Sequence, residues 1–264
     1  MTFGKEDEKY GLIRPTCDLT TVADGRGGIF TFLPKELIVE VDLVYPNPGL
    51  GKENIKNDFT EYFLMVEGSG VMVFNDADGR QEIHHMSKGS CTYCTPGVAY
   101  SFYAIENNAL ALVFRSKALN DSPSTSRDSG KFGRLDPSCS METVIKKREG
   151  TFRWTLDKPL KEFNLLYFRP GKSRGDHYHP HFTEYFLILN GSGKMVYKDP
   201  ENPQGKETVY HMSRGDFVYT TPGIAHAFHA IDDLIAVSML TKPWDECDPP
   251  IVRCNVSRHL EEKE

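Results

Sequence analysis

The sequence predicts an all-β protein made of two β-barrels in tandem, and three observations support that prediction. Apolar residues come in short runs that alternate or stay β-branched, as in Glu36-Leu-Ile-Val-Glu-Val-Asp-Leu-Val-Tyr45, with little helical periodicity. Gly, Pro and Asn turns separate these runs, which is the pattern of a sandwich or barrel. The chain also repeats itself. Phe59-Thr-Glu-Tyr-Phe-Leu64 recurs letter for letter at Phe182–Leu187, and Gly68-Ser-Gly70 recurs at Gly191–Gly193. Further on, His85-Met-Ser-Lys-Gly89 answers His211-Met-Ser-Arg-Gly215, and Pro96-Gly-Val-Ala-Tyr100 answers Pro222-Gly-Ile-Ala-His226.

The duplication divides the chain. Residues 1–28 are polar and glycine-rich and read as an N-terminal arm that closes on the turn Asp24-Gly-Arg-Gly-Gly28. Residues 29–116 are expected to form the first barrel and residues 150–241 the second. Between them, residues 117–149 carry Asp121-Ser-Pro-Ser-Thr-Ser126 and few apolar residues, the composition of a linker. Residues 242–264 form a proline- and charge-rich tail, with a short helix expected over 257–263. The offset between the copies grows between Phe74 and His85, where Lys198–Gly205 lengthens a hairpin. A polar loop tip is where an insertion costs least.

A chain of 264 residues can bury two small cores. Its formal net charge of -6 and the lack of any lysine- and arginine-rich run exclude a nucleic-acid or anionic-membrane partner and favour a small-molecule substrate. Met1–Thr16 has no apolar core behind a basic start, and no apolar run approaches the length of a membrane span, so a cytoplasmic protein is expected. The six cysteines are scattered, which predicts free thiols. Cys91-Thr-Tyr-Cys94 lies in a strand and lacks the second pair of a four-thiolate site, so both read as small buried residues.

The chemistry gathers in the second copy, in Gly171-Lys-Ser-Arg-Gly-Asp-His177-Tyr-His179-Pro-His181-Phe-Thr-Glu184. His177 and His179 alternate on an extended backbone, so both imidazoles leave one face. Glu184 has the opposite parity, and a bend or bulge at Pro180 is expected to bring its carboxylate to that face. The turn Thr221-Pro-Gly223 then returns His226 over the first strand. Three imidazoles and a carboxylate suit one divalent first-row metal, Fe, Mn, Ni or Zn. His181 reads as a satisfied or solvent-facing histidine. Lys172 and Arg174 read as solvated loop residues, with an anionic substrate group as the other use of such cations. Glu184 and Tyr219 are the catalytic candidates. Tyr185 should point the other way along its strand. In the first copy, Leu50–Asp58 contains no histidine and Tyr100 stands where His226 does, which leaves only Glu61. One carboxylate holds a transition metal poorly, so that barrel is expected to be metal-free and structural.

These residues resemble the cupin superfamily. Gly-x5-His-x-His-x4-Glu-x6-Gly is followed from Gly171 to Gly191 without a departure. The second motif, Gly-x5-Pro-x-Gly-x2-His-x3-Asn, is met at Gly215, Gly223 and His226, with Thr221 where proline is usual and Ala230 where asparagine is usual. The resemblance implies a double-stranded jelly roll in each copy, a metal bound by His177, His179, Glu184 and His226, and pairing into a homodimer. For function it implies a metal-dependent isomerase or epimerase of a sugar or sugar acid, like the bicupin uronate isomerases. An iron-dependent dioxygenase and a non-enzymatic metabolite-binding cupin are the alternatives.

Overall fold

The computed structural model describes residues 10–13, 17–19, 28–46, 48, 51–75, 79–119, 130–137, 150–202 and 204–256. The arm's glycine turn before Gly28, much of the 117–149 segment and the helix expected over 257–263 lie outside the described residues. In chain order the strands begin with β1 (Tyr10–Ile13), β2 (Cys17–Leu19), β3 (Ile29–Phe32), β4 (Ile38–Tyr45), β5 (Gly51–Lys56) and β6 (Glu61–Glu67). Next come β7 (Ser69–Asn75), β8 (Gln81–Ser87), β9 (Cys91–Cys94), β10 (Ala99–Ala104), β11 (Leu110–Arg115), β12 (Phe132–Arg134) and β13 (Gly150–Leu160). They continue as β14 (Glu162–Phe168), β15 (Ser173–Tyr178), β16 (Glu184–Asn190), β17 (Ser192–Lys198), β18 (Thr208–Ser213) and β19 (Phe217–Thr220). β20 (Ala225–Ala230), β21 (Leu234–Leu240) and β22 (Val252–Arg253) complete the set, with one short 3-10 turn at Trp244–Glu246. The protein is all-β, two jelly-roll barrels in tandem. None of the described helices is long and apolar enough to cross a membrane.

Two compact units emerge. The first pairs a sheet of order β1-β9-β6-β11-β4-β13 with one of order β5-β10-β7-β8; the second pairs β12-β19-β16-β21-β14-β3-β2 with β18-β17-β20-β15-β22. The flanking strands differ from the sequence reading. β3, placed by sequence at the start of the first barrel, pairs with β14 of the second, while residues 150–157 of β13 join the first unit's sheet. Within the segment read as linker, β12 adds an edge strand to β19. An antiparallel edge accepts any extended segment that offers backbone groups in register, so proximity in sequence does not decide which copy such a strand joins.

Each unit fills the space between its sheets with the inward residues of alternating strands. β7 alternates cleanly, burying Gly70, Met72 and Phe74, and β21 is buried along its whole length, as a central strand covered on both faces must be. In the second unit Phe168, Phe186, Ile188, Met195, Tyr197 and Phe228 form the core. The repeated Gly-Ser-Gly has a local cause: Gly191 sits at φ +81°, and a Cβ there would lie 2.4 Å from the Asp233 carbonyl oxygen. Cys91 and Cys94 are buried free thiols, as are Cys247 and, half-buried, Cys254. Burial pushes the Cys94 thiol up to about 12, which makes it unreactive.

The first unit encloses a charged network. Arg115 donates to Glu40 at 2.9 Å, Asp42 at 2.6 Å and Glu61 at 2.7 Å, and Arg153 closes on Asp42 from the other side at 2.9 Å. The Tyr100 hydroxyl and, at 2.5 Å, the Asn57 amide both donate to the second oxygen of Glu61, the one Arg115 leaves free. Burial opposes a charge on Arg115, yet Asp42, Glu61 and Glu40 hold it protonated. Removing one member of a buried ion network strands its partners. Arg115→Leu is therefore expected to destabilise this unit by about 3–5 kcal/mol, read by urea unfolding through Trp154, which is buried in the same unit. An unchanged midpoint would show that the carboxylates find another counter-charge.

Candidate metal centre

The inward row of the second barrel is set by a bulge. β15 pairs with β20 as Arg174↔Phe228 and Gly175↔Ala227, then slips one residue so that His177 faces His226. Asp176 takes φ +54° and Gly175 φ +118° to make the slip. Only glycine fits beside β20, because a Cβ at Gly175 would lie 2.6 Å from the Ala227 Cα. The consequence is that both Arg174 and His177 face inward, although their parities differ. The ladder continues across the sheet as Tyr197↔His226↔His177↔Arg253.

Glu184 reaches the site from the other sheet. The chain leaves β15, changes sheets between His179 and Glu184, and enters β16, so the carboxylate faces the histidines across the barrel and no bulge at Pro180 is required. The Gly223 amide donates to the His179 carbonyl at 3.0 Å, which fixes the turn that carries His226 back. The ring nitrogens of His177, His179 and His226 lie within 4.8 Å of one another. One carboxylate oxygen of Glu184 lies 3.2 Å from His179 Nε2 and 2.9 Å from His226 Nε2.

The protonation pattern of this cluster can be read from its outer contacts. His177 Nδ1 lies 2.9 Å from the Gly175 carbonyl, His179 Nδ1 3.1 Å from the Pro250 carbonyl, and His226 Nδ1 3.2 Å from the Ile224 carbonyl. A carbonyl oxygen only accepts, so each Nδ1 carries a proton; the Glu184 carboxylate also only accepts, so its contacts with His179 and His226 Nε2 call either for a second proton on those rings or for a cation between them. Burial, with His226 and His179 close by, pushes His177 down to about 3, which keeps it neutral. Burial works to raise the Glu184 carboxyl, but its hydrogen bonds with His179 and His226 hold it well below the usual range. Three imidazoles and a carboxylate brought this close are the donor types that a divalent metal takes.

Around this set the two copies diverge in a consistent direction. Ser238 donates to the outer oxygen of Glu184, and Thr220 stands opposite Glu184 on β19. Tyr197, fully buried, faces inward beside His226. The equivalent first-unit positions hold Val113, Cys94 and Phe74, while Ile55, Asn57 and Tyr100 replace the three histidines. Ser238, Thr220 and Tyr197 escape a search for motifs, but alignment of the two copies marks each as polar only where the histidines are.

Other candidates settle elsewhere. Tyr219 lies opposite Tyr185 on the outer face, where its hydroxyl donates to the Gly130 carbonyl at 3.2 Å, so the inward tyrosine is Tyr197. Tyr219 follows Val218 and precedes Thr220, both inward, and strand alternation excludes it from the cavity. His181 is exposed and bonds the Asp248 carbonyl at 3.2 Å, outside the cluster. Lys172 is exposed, as expected of a loop. Arg174 is not a solvated loop residue: its guanidinium lies over the ring of Phe168, 5.5 Å from the centroid, one inward row from His226.

Comparison with known proteins bears on the fold and on this domain. Residues 164–241 match the family model described as a cupin domain. A UDP-2-acetamido-2,6-beta-L-arabino-hexul-4-ose reductase of Pseudomonas aeruginosa is 26% identical over 97 residues, which are 36% of this chain. That match spans 26% of the relative's length, about a quarter. A deletion variant of Bacillus subtilis oxalate decarboxylase superposes with a TM-score of 0.50 at 14% identity over 95% of this chain and 90% of its own. A substitution variant of the same enzyme gives 0.50 at 15% identity with the same coverage. Likeness at that identity concerns the fold. Residues 164–241 thus match a cupin domain, and the chain as a whole takes the fold of two jelly-roll barrels in tandem, with the intact histidine motif in the second.

Proposed function

We propose that the second barrel is a divalent-metal centre of an enzyme that isomerises or epimerises a small sugar or sugar acid. The observation that carries this reading is the set of three Nδ1-anchored imidazoles whose Nε2 atoms converge on the Glu184 carboxylate. A divalent ion held there would polarise a carbonyl oxygen and make the neighbouring C–H more acidic. His177, His179 and His226 would hold it as neutral donors. Glu184 would balance its charge rather than carry a proton, because a carboxyl held so far down is a weak base. The floor of Phe168, Phe186 and Phe228 excludes water beneath the site. Arg174, inward and one row away, supplies the positive charge that a substrate carboxylate needs. The Pseudomonas aeruginosa relative, named for a nucleotide-linked keto sugar, supports the substrate class. The reading includes a homodimer and a small-molecule partner in the cytoplasm.

Arg174 also favours a second reading, an iron-dependent dioxygenase acting on a small carboxylate, since a cation beside the centre would hold one carboxylate end. NMR of a panel of keto sugars and uronic acids in D2O separates the two. Isomerisation with deuterium uptake next to the carbonyl is the expected result, and oxygen consumption with bond cleavage would overturn it. Binding without turnover would assign the fold to a metabolite-binding role.

Two variants test the site itself. His179→Ala is expected to lose most of its metal by elemental analysis and to keep its far-ultraviolet circular dichroism; full occupancy would refute the ligand set. Ser238→Ala, which removes the donor to Glu184, is expected to weaken metal affinity about tenfold by calorimetry, whereas Tyr219→Phe, on the outer face, leaves it unchanged.

A further inference from the structure

The tail beyond β21 is built into the candidate centre. From the 3-10 turn at Trp244–Glu246 it runs past the histidines and ends as β22 on β15, where Arg253 pairs with His177. Along that path the Pro250 carbonyl accepts the Nδ1 proton of His179. The Trp244 indole stands edge-on to His179 with ring centroids 6.0 Å apart, while Phe182 stacks on the same imidazole at 4.3 Å. Arg253 donates to the Gly175 carbonyl at 3.4 Å, the oxygen that also accepts His177 Nδ1. The backbone of Asp248 receives His181. His179 and the neighbouring His181 thus meet a backbone carbonyl of this segment, and His177 shares its carbonyl with Arg253.

The segment is pinned at both ends. Asp176, in the bulge of β15, accepts the Cys254 amide at 2.9 Å through its carbonyl and the Val256 amide at 2.8 Å through its side chain. Val256 is buried against Val196, Ala225 and Ala227. At the other end Glu162 accepts the Trp244 amide at 2.7 Å and the Asn164 side chain at 3.0 Å. Glu162 is only 3% exposed, sits on β14 in the row Glu162↔Leu240↔Glu184, and touches none of the histidines. Its counterpart in the first unit is Glu40, which the Arg115 network occupies. With leucine in place of that arginine, the second barrel keeps a buried carboxylate whose partner is the strap.

We infer that Trp244–Arg253 is a strap belonging to the metal centre and that Glu162 is the positioning residue that holds it there. The inference rests on the proposed metal-binding role of His177, His179, Glu184 and His226. A strap that fixes the proton on His179 Nδ1 keeps Nε2 free for the ion, and outer partners of this kind change metal affinity by roughly 10–100-fold. Glu162 acts through the Trp244 amide, so an acceptor oxygen at that position is what counts, not its charge.

The test titrates Zn(II) and Mn(II) separately into the apo full chain, by calorimetry. Trp244 emission is followed in a Trp154→Phe background, which leaves a single tryptophan. Glu162→Ala is expected to red-shift Trp244 emission and lower metal affinity about tenfold or more, while Glu162→Gln, whose amide oxygen still accepts, stays near wild type. Should Glu162→Ala not fold, Trp244→Pro removes the same N–H from the first position of the 3-10 turn, where proline fits, and is expected to give the same loss. Release of Trp244 with unchanged affinity would make the strap a mere cover and overturn the inference. An equal loss in Glu162→Gln would assign the effect to charge and overturn it as well, as would an unchanged Glu162→Ala. Absence of uptake by the wild type, or full uptake by His226→Ala, is a different failure: it removes the ligand assignment and the inference with it.

Discussion

Everything about the second barrel depends on one electrostatic constraint, the convergence of three imidazoles on a buried carboxylate. Each outer nitrogen is committed to a backbone carbonyl, so the inner ones have no proton to offer Glu184 unless the ring takes a second one and becomes charged. Three rings at centroid separations of 4.8 to 5.2 Å leave little room for several such charges. On the proposed reading, a single divalent ion would answer the whole set.

The first barrel meets the same constraint in another way. Its scaffold keeps a carboxylate at Glu61 but supplies the counter-charge covalently, as the Arg115 guanidinium, with Tyr100 and Asn57 filling positions that hold His226 and His179 in the other copy. The two units thus treat a buried glutamate in two ways: the first supplies an internal cation, and the second surrounds it with imidazoles that, on the proposed reading, take an external one. A buried ion pair is seldom the most stable filling for a core. Here it gives the Glu61 carboxylate a counter-charge from within the chain.

The strap adds a third level. The outer partners of the clustered histidines come partly from a segment beyond the repeat. Burial of His179 and His226 strengthens the charge interactions of the cluster.

The sequence by itself determined the all-β class, the duplication, and the residues His177, His179, Glu184 and His226 as one group, because strand alternation and a repeated motif are local properties that spacing records. It also distinguished the copies, since the loss of histidine from one of them is visible letter by letter. Tertiary structure alone decided that Glu184 arrives from the facing sheet, that a bulge at Gly175–Asp176 turns Arg174 and His177 to the same cavity, and that Tyr197 rather than Tyr219 faces inward. It likewise decided that β3 and β13 join the sheets they do, and that a tail past residue 241 touches the histidines. The reason is common to all of these. Sheet partner, register slip and long-range docking are set by backbone hydrogen bonds between segments far apart in the chain, and such pairings leave no periodic trace in the order of the residues.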